Sequence, residues 1–401
     1  MIKKLAHHTG NVSGEIFVSG SKSESNRLLI LQRSFTDLKL KNLSNSDDTK
    51  YLTKALQGES DVVDISHAGT AMRFLTAYFA AKEGREVILT GSHRMQNRPI
   101  SILVDALRSI GADISYKDKE GYPPLVIKGK KLEESKLSIQ GNVSSQYISA
   151  LLLMAPGLDN GLEIELLGTV TSVPYINMTL ALLKDLGVSY TWNDNIIKIE
   201  ALDTVTEAEM TVESDWSSAS YFYSLVALSQ EGSVFLNSYK RNSLQGDSSL
   251  VEIYKHFGVS TEFEKDRITL KKEHHKTGAL TLDLSNSPDL AQTIAVTCFG
   301  LGVACDLTGL HTLKIKETDR LVALEQELSK LGASITVTDK SLHLEPGNIF
   351  NENVLIETYD DHRMAMAFAP LALKVPIQID DAEVVTKSYT DFWKDFEAVL
   401  V

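Results

Sequence analysis

SSQYISALLLMA, residues 144–155, opens on polar side chains and then runs apolar almost without a break. Five other stretches share that look: SESNRLLILQ from Ser23, TAMRFLTAYFAA from Thr70, SSASYFYSLVALS from Ser217, DLAQTIAVTCFG from Asp289 and HRMAMAFAPLAL from His362. Their starts are separated by 47, 74, 73, 72 and 73 residues. A second pattern keeps the same period: LVDALRSIGADI, TLALLKDLGVSY, VEIYKHFGVSTE and ALEQELSKLGASI, with glycines at 111, 187, 258 and 332. Each reads as an amphipathic helix stopped by a glycine, then a strand. SYTWNDNIIKIE and SITVTDKSLHLEP continue into a turn and a second strand with period-two alternation. A mixed helix-and-strand unit copied six times must bury the apolar faces of its neighbours. The first copy is short. Between Asp47 and Gly69 there is room for the helix DDTKYLTKALQG and little more, which predicts that its closing strand pair is missing or vestigial.

Six such units suit two domains of three, an α/β (α+β) architecture. The expected joins place 1–19 with 214–401 in one domain and 20–213 in the other, because the strand GEIFVSG precedes copy one and must pair elsewhere. One continuous ring or solenoid of six copies is the alternative. The apolar runs are nearly all-round, so each helix is expected to be buried with only its polar start near solvent.

The whole chain has 401 residues, with 40 Lys+Arg against 53 Asp+Glu and a net charge of −13. The length predicts two or three domains at about 150 residues each. The acidic balance argues against a nucleic-acid or membrane-surface protein, which recruits Lys and Arg. Two cysteines, Cys298 and Cys305, build no disulfide framework, no Cys/His cluster has zinc-ligand spacing, and the pairs His7-His8 and His274-His275 read as solvated surface. MIKKLAHHTG lacks the apolar core of a signal peptide and no stretch reaches about 18 uninterrupted apolar residues, so the expected compartment is the reducing cytoplasm.

Helix N-termini carry unpaired N–H groups and partial positive charge, and several converging make an anion site. Here the charged residues gather at those starts: Lys22, Ser23 and Arg27; Gly69, Thr70 and Arg73; Ser144, Ser145 and Gln146; Asp289; and Asp361, His362 and Arg363. Taken alone, Ser217 and Ser218 read as ordinary helix caps. In the connections, SHRMQNRPI carries Arg94 and Arg98, and KIKETDRL carries Lys314, Lys316, Glu317 and Arg320. If KETDR is helical, Lys316 and Arg320 share a face with Glu317 one step round; as a bare charge run it is a solvated first turn. Lys22, Arg27, Arg94, Arg320, Arg363 and Lys387 are cations beside the starts in an acidic protein, enough for two doubly charged ligands. GSKS is not a phosphate-binding P-loop, because Ser21 separates Gly20 from Lys22, and no G-x-G-x-x-G occurs.

SKSESNR, AGTAMR, RMQNRP, VSSQ, SPD, KETDR and DDHRMAM, in that order and spread over nearly the whole chain, resemble the EPSP synthase family of enolpyruvyl transferases. That resemblance implies an inside-out α/β barrel in each of two domains, an active site in the cleft between them, and transfer of enolpyruvate from phosphoenolpyruvate to the 5-hydroxyl of shikimate 3-phosphate with release of phosphate. It implies a cytoplasmic monomer on the route to chorismate, acting on small molecules without nucleic acid, membrane, metal or organic cofactor. Carried over by motif, Lys22, Ser23, Arg27, Ser144, Ser145, Gln146, Ser172, Tyr175, Asp289, Thr312 and Lys316 would hold shikimate 3-phosphate. Lys22, Gly69, Arg94, Gln146, Arg320, His362, Arg363 and Lys387 would hold phosphoenolpyruvate. Asp289 would take the hydroxyl proton and Glu317 act as acid and base at the enol carbon, with Lys22 able to share that role. Thr312 and His67 stand where the family usually has Asn.

Phosphoenolpyruvate must be protonated at its methylene carbon before a hydroxyl adds, so the chemistry asks for an acid, a base and cations around both phosphates. A related family acting on a UDP-sugar has Lys-Asn where this chain has Lys22-Ser23, and a cysteine near Arg94 that is absent here. A sliding clamp would line its helices with Lys and Arg, whereas these helices are apolar. A non-catalytic phosphate-ligand binder is the remaining alternative.

Overall fold

The computed structural model describes residues 1–142, 144–170, 173–205, 208–273 and 278–401. His274 and His275 lie outside them, whereas His7 is half-buried and His8 exposed. The contacts divide the chain into two compact units, Met1–Ser19 with Glu213–Val401, and Gly20–Val212. Glu213, expected in the second, belongs to the first. Its carboxylate is buried and accepts from Trp216 Nε1 (2.8 Å), the Lys240 N–H (2.8 Å) and Ser243 Oγ (2.6 Å).

Each unit has its own apolar core. The buried runs form the core helices Lys22–Ser34, Gly69–Ala80 and Ser145–Met154 in one unit, and Trp216–Leu228, Ala291–Leu301 and His362–Phe368 in the other. All seven residues of His362–Phe368 are buried, as are all of Trp216–Leu228 except Ser217. Helices this closely packed still carry hydroxyls, and each buried one needs a partner. The period supplies it: Ser220 meets Thr293 (3.1 Å) and Thr297 donates to Ser224 (2.8 Å), residues 73 apart in both pairs.

Copies two to five each form a four-stranded sheet of one topology. In copy two, Val62–Asp64 and Glu86–Thr90 run parallel on either side of the core helix, and Leu125–Lys128 then Asp113–Tyr116 add antiparallel. Gly111, Gly187, Gly258 and Gly332 end the second helices at φ between 70° and 102°, which a side chain adopts only at a cost. In copy four the expected second helix is a single α turn, Leu250–Ile253, between 3₁₀ turns. Copy one stops short: Leu38–Lys41 leads to the helix Asp47–Gln57, and no closing pair follows. Copy six also lacks one, which the repeat did not announce. Its place is taken by Lys3–Leu5, antiparallel to Ile377–Ile379.

The chain exchanges strands at the joins. Val12–Ile16, before copy one, runs parallel to Gly232–Asn237 of copy four, and Ala208–Thr211, before copy four, runs parallel to Leu38–Lys41 of copy one. Gly20 marks one join: a Cβ there would lie 1.9 Å from the Asn42 carbonyl oxygen. Cys298 and Cys305 are buried free thiols, and no helix among the described residues is long and apolar enough to cross a membrane.

Candidate active site

In the unit Gly20–Val212, the starts of the three core helices are tied by side chains. Arg27, one turn into the first, is 2% exposed. It donates to the Ser23 carbonyl (2.7 Å), to Ser149 Oγ of the third core helix (3.0 Å), and to Thr179 Oγ1 (2.8 Å) and the Tyr175 carbonyl (3.4 Å) of the helix Val173–Asp185. Burial lowers its pKa to about 10, still charged at neutral pH. Gln146 reaches from the third helix to Thr70 Oγ1 of the second (3.3 Å), while Ser144 caps the third through the Gln146 N–H. Ser145 is buried beside it. Lys22 lies 3.9 Å from Asp48, a buried residue of Asp47–Gln57. Ser172 lies outside the described residues.

Gly69 opens the second core helix beneath two guanidinium groups. Arg73 donates to the Gly69 carbonyl (3.0 Å), and its pKa is lowered to about 10 by burial, with Arg98 adding to the effect. Arg98 lies so close that a Cβ on Gly69 would come within 2.6 Å of its Nη1. Arg94 is exposed on the short helix His93–Gln96. The structure therefore brings Arg98, to which the motifs assigned no role, against Gly69. Proline supplies the reason: Pro99 stops the turn directly after Arg98, and its carbonyl is gripped by Tyr147 OH at 2.7 Å. Both arginines are visible in SHRMQNRPI, and only the fold discriminates between them. His67 packs edge-on to Tyr51, 5.6 Å between ring centres.

The other unit builds a charged knot. Arg320, 2% exposed, donates from Nη1 to Asp289 (2.8 Å), from Nη2 to Glu317 (2.8 Å) and from Nε to Asp361 (2.6 Å). Arg363 reaches the other Asp289 oxygen at 3.1 Å, and Lys316 stands 3.6 Å from Asp289. Lys387 stands 3.9 Å from Glu317. Burial alone would raise the Asp289 pKa, but Arg363, Lys316 and Arg320 together hold it well below the usual carboxylate range. Those carboxylates in turn raise the pKa values of Arg320 and Arg363 against the opposing pull of burial.

Two local expectations change here. KETD is not helical: the helix begins at Arg320, capped by Asp319 through the Val322 N–H, so Lys316 and Glu317 reach the knot from a loop. Ser217 is not a cap. Asp215 caps Trp216–Leu228, which releases the Ser217 hydroxyl to donate to buried Asp247 and accept from Arg363 (3.3 Å). Thr312 lies on the 3₁₀ turn His311–Ile315, and its buried hydroxyl has no hydrogen-bond partner among the described residues. Asp361, adjacent to the expected His362 and Arg363, is the fully buried hinge of the knot. It takes Arg320 on one side, caps the Arg363 N–H at 2.9 Å, and stands 3.8 Å from His362 Nδ1. Asp247 was invisible in the sequence because QGDSS has no periodicity or charge pattern. Burial, then the neighbouring Asp289, raises its pKa to about 6.

Comparison with known proteins agrees along the chain. A family profile described as EPSP synthase (3-phosphoshikimate 1-carboxyvinyltransferase) matches residues 54–396. A Bacteroides fragilis protein named 3-phosphoshikimate 1-carboxyvinyltransferase is 47% identical over 398 residues, covering 98% of this chain and 97% of its own. A protein of the same name from Haemophilus influenzae is 36% identical, with 97% of each chain covered. A solved EPSP synthase from Acinetobacter baumannii superposes with a TM-score of 0.81 at 21% identity, covering 100% of this chain and 98% of that one. An enolpyruvyl transferase from Streptomyces tendae gives 0.73 at 14% identity, covering 99% and 97%; at such low identities these two likenesses concern the fold alone. With a profile match over most of its length and a relative at 47% identity end to end, this chain belongs to the EPSP synthase (3-phosphoshikimate 1-carboxyvinyltransferase) family.

Proposed function

We propose that the protein transfers the enolpyruvyl group of phosphoenolpyruvate to the 5-hydroxyl of shikimate 3-phosphate and releases phosphate, as a cytoplasmic monomer on the route to chorismate. The observation that carries the chemistry is Asp289, a half-buried carboxylate held ionised by Arg320, Arg363 and Lys316 with Glu317 on the same arginine.

In the addition step the shikimate oxygen bonds to the central carbon of phosphoenolpyruvate, its proton passes to Asp289, and the methylene carbon takes a proton from Glu317 or Lys22. Elimination returns a proton from the new methyl group to Glu317 or Lys22, re-forms the double bond and breaks the carbon–oxygen bond to phosphate, and the departing phosphate takes up the hydroxyl proton held on Asp289. A carboxylate so strongly held down is a poor base by itself. Anionic substrates on Arg320, Arg363 and Lys316 offset the cations that depress it and so raise its basicity as the substrates bind. Phosphoenolpyruvate falls to Lys22, Gly69, Arg94, Gln146, Arg320, His362, Arg363 and Lys387, with Arg98, which lies against Gly69, as a further cation. Shikimate 3-phosphate falls to Lys22, Ser23, Arg27, Ser144, Ser145, Gln146, Ser172, Tyr175, Asp289, Thr312 and Lys316. Fixing both reactants in attack geometry accounts for much of the rate.

Phosphate release from the two substrates together is the test. The parent chain releases it and Asp289→Ala is severely slowed; no release from the parent sinks the proposal. Replacing shikimate 3-phosphate by a UDP-sugar acceptor is expected to give none, and light scattering on the pure protein checks the monomer.

A further inference from the structure

Tyr359 and Asp360 are consecutive residues in left-handed backbone, at φ 54° and 56°. Such conformations cost on the order of 1–3 kcal/mol each for residues other than glycine, and persist where the surroundings over-determine them. They lie in the turn between strand Val354–Ile356 and core helix His362–Phe368, directly before Asp361 and Arg363. The turn delivers Asp361 to Arg320 and sets the first residues of the helix.

Glu327 is what holds this turn. It lies two helical turns beyond Arg320 on Arg320–Lys330, so both look from the same face. Its carboxylate, closed to solvent, accepts from Tyr359 OH (2.6 Å), from the Glu357 N–H (3.1 Å) and from Lys330 Nζ (2.8 Å). Gln326 Oε1 stands 2.7 Å from the same hydroxyl as an alternative acceptor. One helix thus grips the strained turn twice, Arg320 at Asp361 and Glu327 at Tyr359. No described hydrogen bond joins Glu327 or Tyr359 to Asp289, Glu317 or Arg363. A buried carboxylate is costly to keep, and this one, besides pairing with Lys330, ties down the turn that leads into the arginine knot.

We propose that Glu327 and Tyr359 are positioning residues: they brace the Tyr359–Asp360 turn and thereby set the angle at which Arg363 and Arg320 meet phosphoenolpyruvate. The inference rests on the assignment of those two arginines above. The test compares full-length Tyr359→Phe, Glu327→Gln and Arg363→Lys in steady-state phosphate release, with melting temperature alongside. Tyr359→Phe removes one oxygen and leaves the ring, and the lost hydrogen bond to a charged acceptor is expected to raise KM for phosphoenolpyruvate about tenfold. Its KM for shikimate 3-phosphate should stay close to the parent's, and kcat should fall by less than KM for phosphoenolpyruvate rises, because the same arginines also hold Asp289. Glu327→Gln should do the same more strongly; if it does not fold, Tyr359→Phe decides. A lowered melting temperature with KM unchanged, or a fall in kcat alone, overturns the brace. If Arg363→Lys raises KM for phosphoenolpyruvate while Tyr359→Phe does not, the brace falls and the arginine assignment stands. If Arg363→Lys leaves that KM unchanged, both fall.

Discussion

Arg27 in the unit Gly20–Val212 and Arg320 in the other are equally buried, each 2% exposed, but they keep different company. Arg27 is surrounded by hydroxyls and carbonyls, and burial lowers its pKa to about 10. Arg320 is surrounded by three carboxylates that raise its pKa despite the same burial. Arg73 repeats the first situation and Arg363 the second. A buried cation with neutral partners keeps its net charge and its appetite for an anion. A buried cation with carboxylate partners shares its charge with them and holds them in place until another anion competes. Arg27 and Arg73 are thus left with charge that no carboxylate hydrogen bond offsets, whereas Arg320 and Arg363 divide theirs among Asp289, Glu317 and Asp361.

The sharpest way to break this contrast is Asp289→Ala. Loss of the proton acceptor is expected to slow phosphate release by about 10²–10⁴-fold, with a much smaller loss of shikimate 3-phosphate binding, measured by calorimetry. Loss of binding with turnover intact would overturn the contrast. Arg27→Ala should act the other way, raising KM for shikimate 3-phosphate roughly 10–100-fold through lost charge-assisted hydrogen bonds, with a smaller change in kcat.

Asp247 tests the electrostatics of the carboxylate-paired cluster. Its folded pKa of about 6 lies above the ordinary carboxylate value, so the folded state binds the extra proton and stability falls as pH rises from about 4 to about 6. Asp247→Asn removes that slope and should stabilise the protein by about 1–3 kcal/mol at pH 7, with little difference at pH 4. Denaturant unfolding at both pH values reads it, and an unchanged slope refutes the assignment. The smallest effect is expected from Gly69→Ala. Its new methyl meets Arg98 Nη1, the far end of a flexible side chain, so the guanidinium shifts and KM for phosphoenolpyruvate rises about tenfold with kcat little changed.

Much of this molecule is readable along the chain. The 73-residue period is legible because every core helix must be apolar all round and polar at its start, a pattern that survives any change in the loops. The stop glycines are legible because a positive φ leaves few other choices. Lys316, Glu317 and Arg320 stand out as a charge run, but the reason they meet, a loop entering the capped helix at Arg320, does not. Ser217 misleads because a serine at a helix start is usually a cap, and Asp215 takes that role from two residues upstream. Lys3–Leu5 is too short to read as a strand until Ile377–Ile379 is beside it.

The sequence by itself determined the repeat, the buried helices, the stop glycines and the family, since these depend on apolar periodicity and on residue types placed locally. Only the tertiary structure decided that Arg98 lies against Gly69, that Asp247 and Asp361 join the charged knot, and that the strands on either side of the joins are exchanged. Those outcomes depend on which side chains are desolvated together, a property of residues tens to hundreds of positions apart that no local pattern encodes.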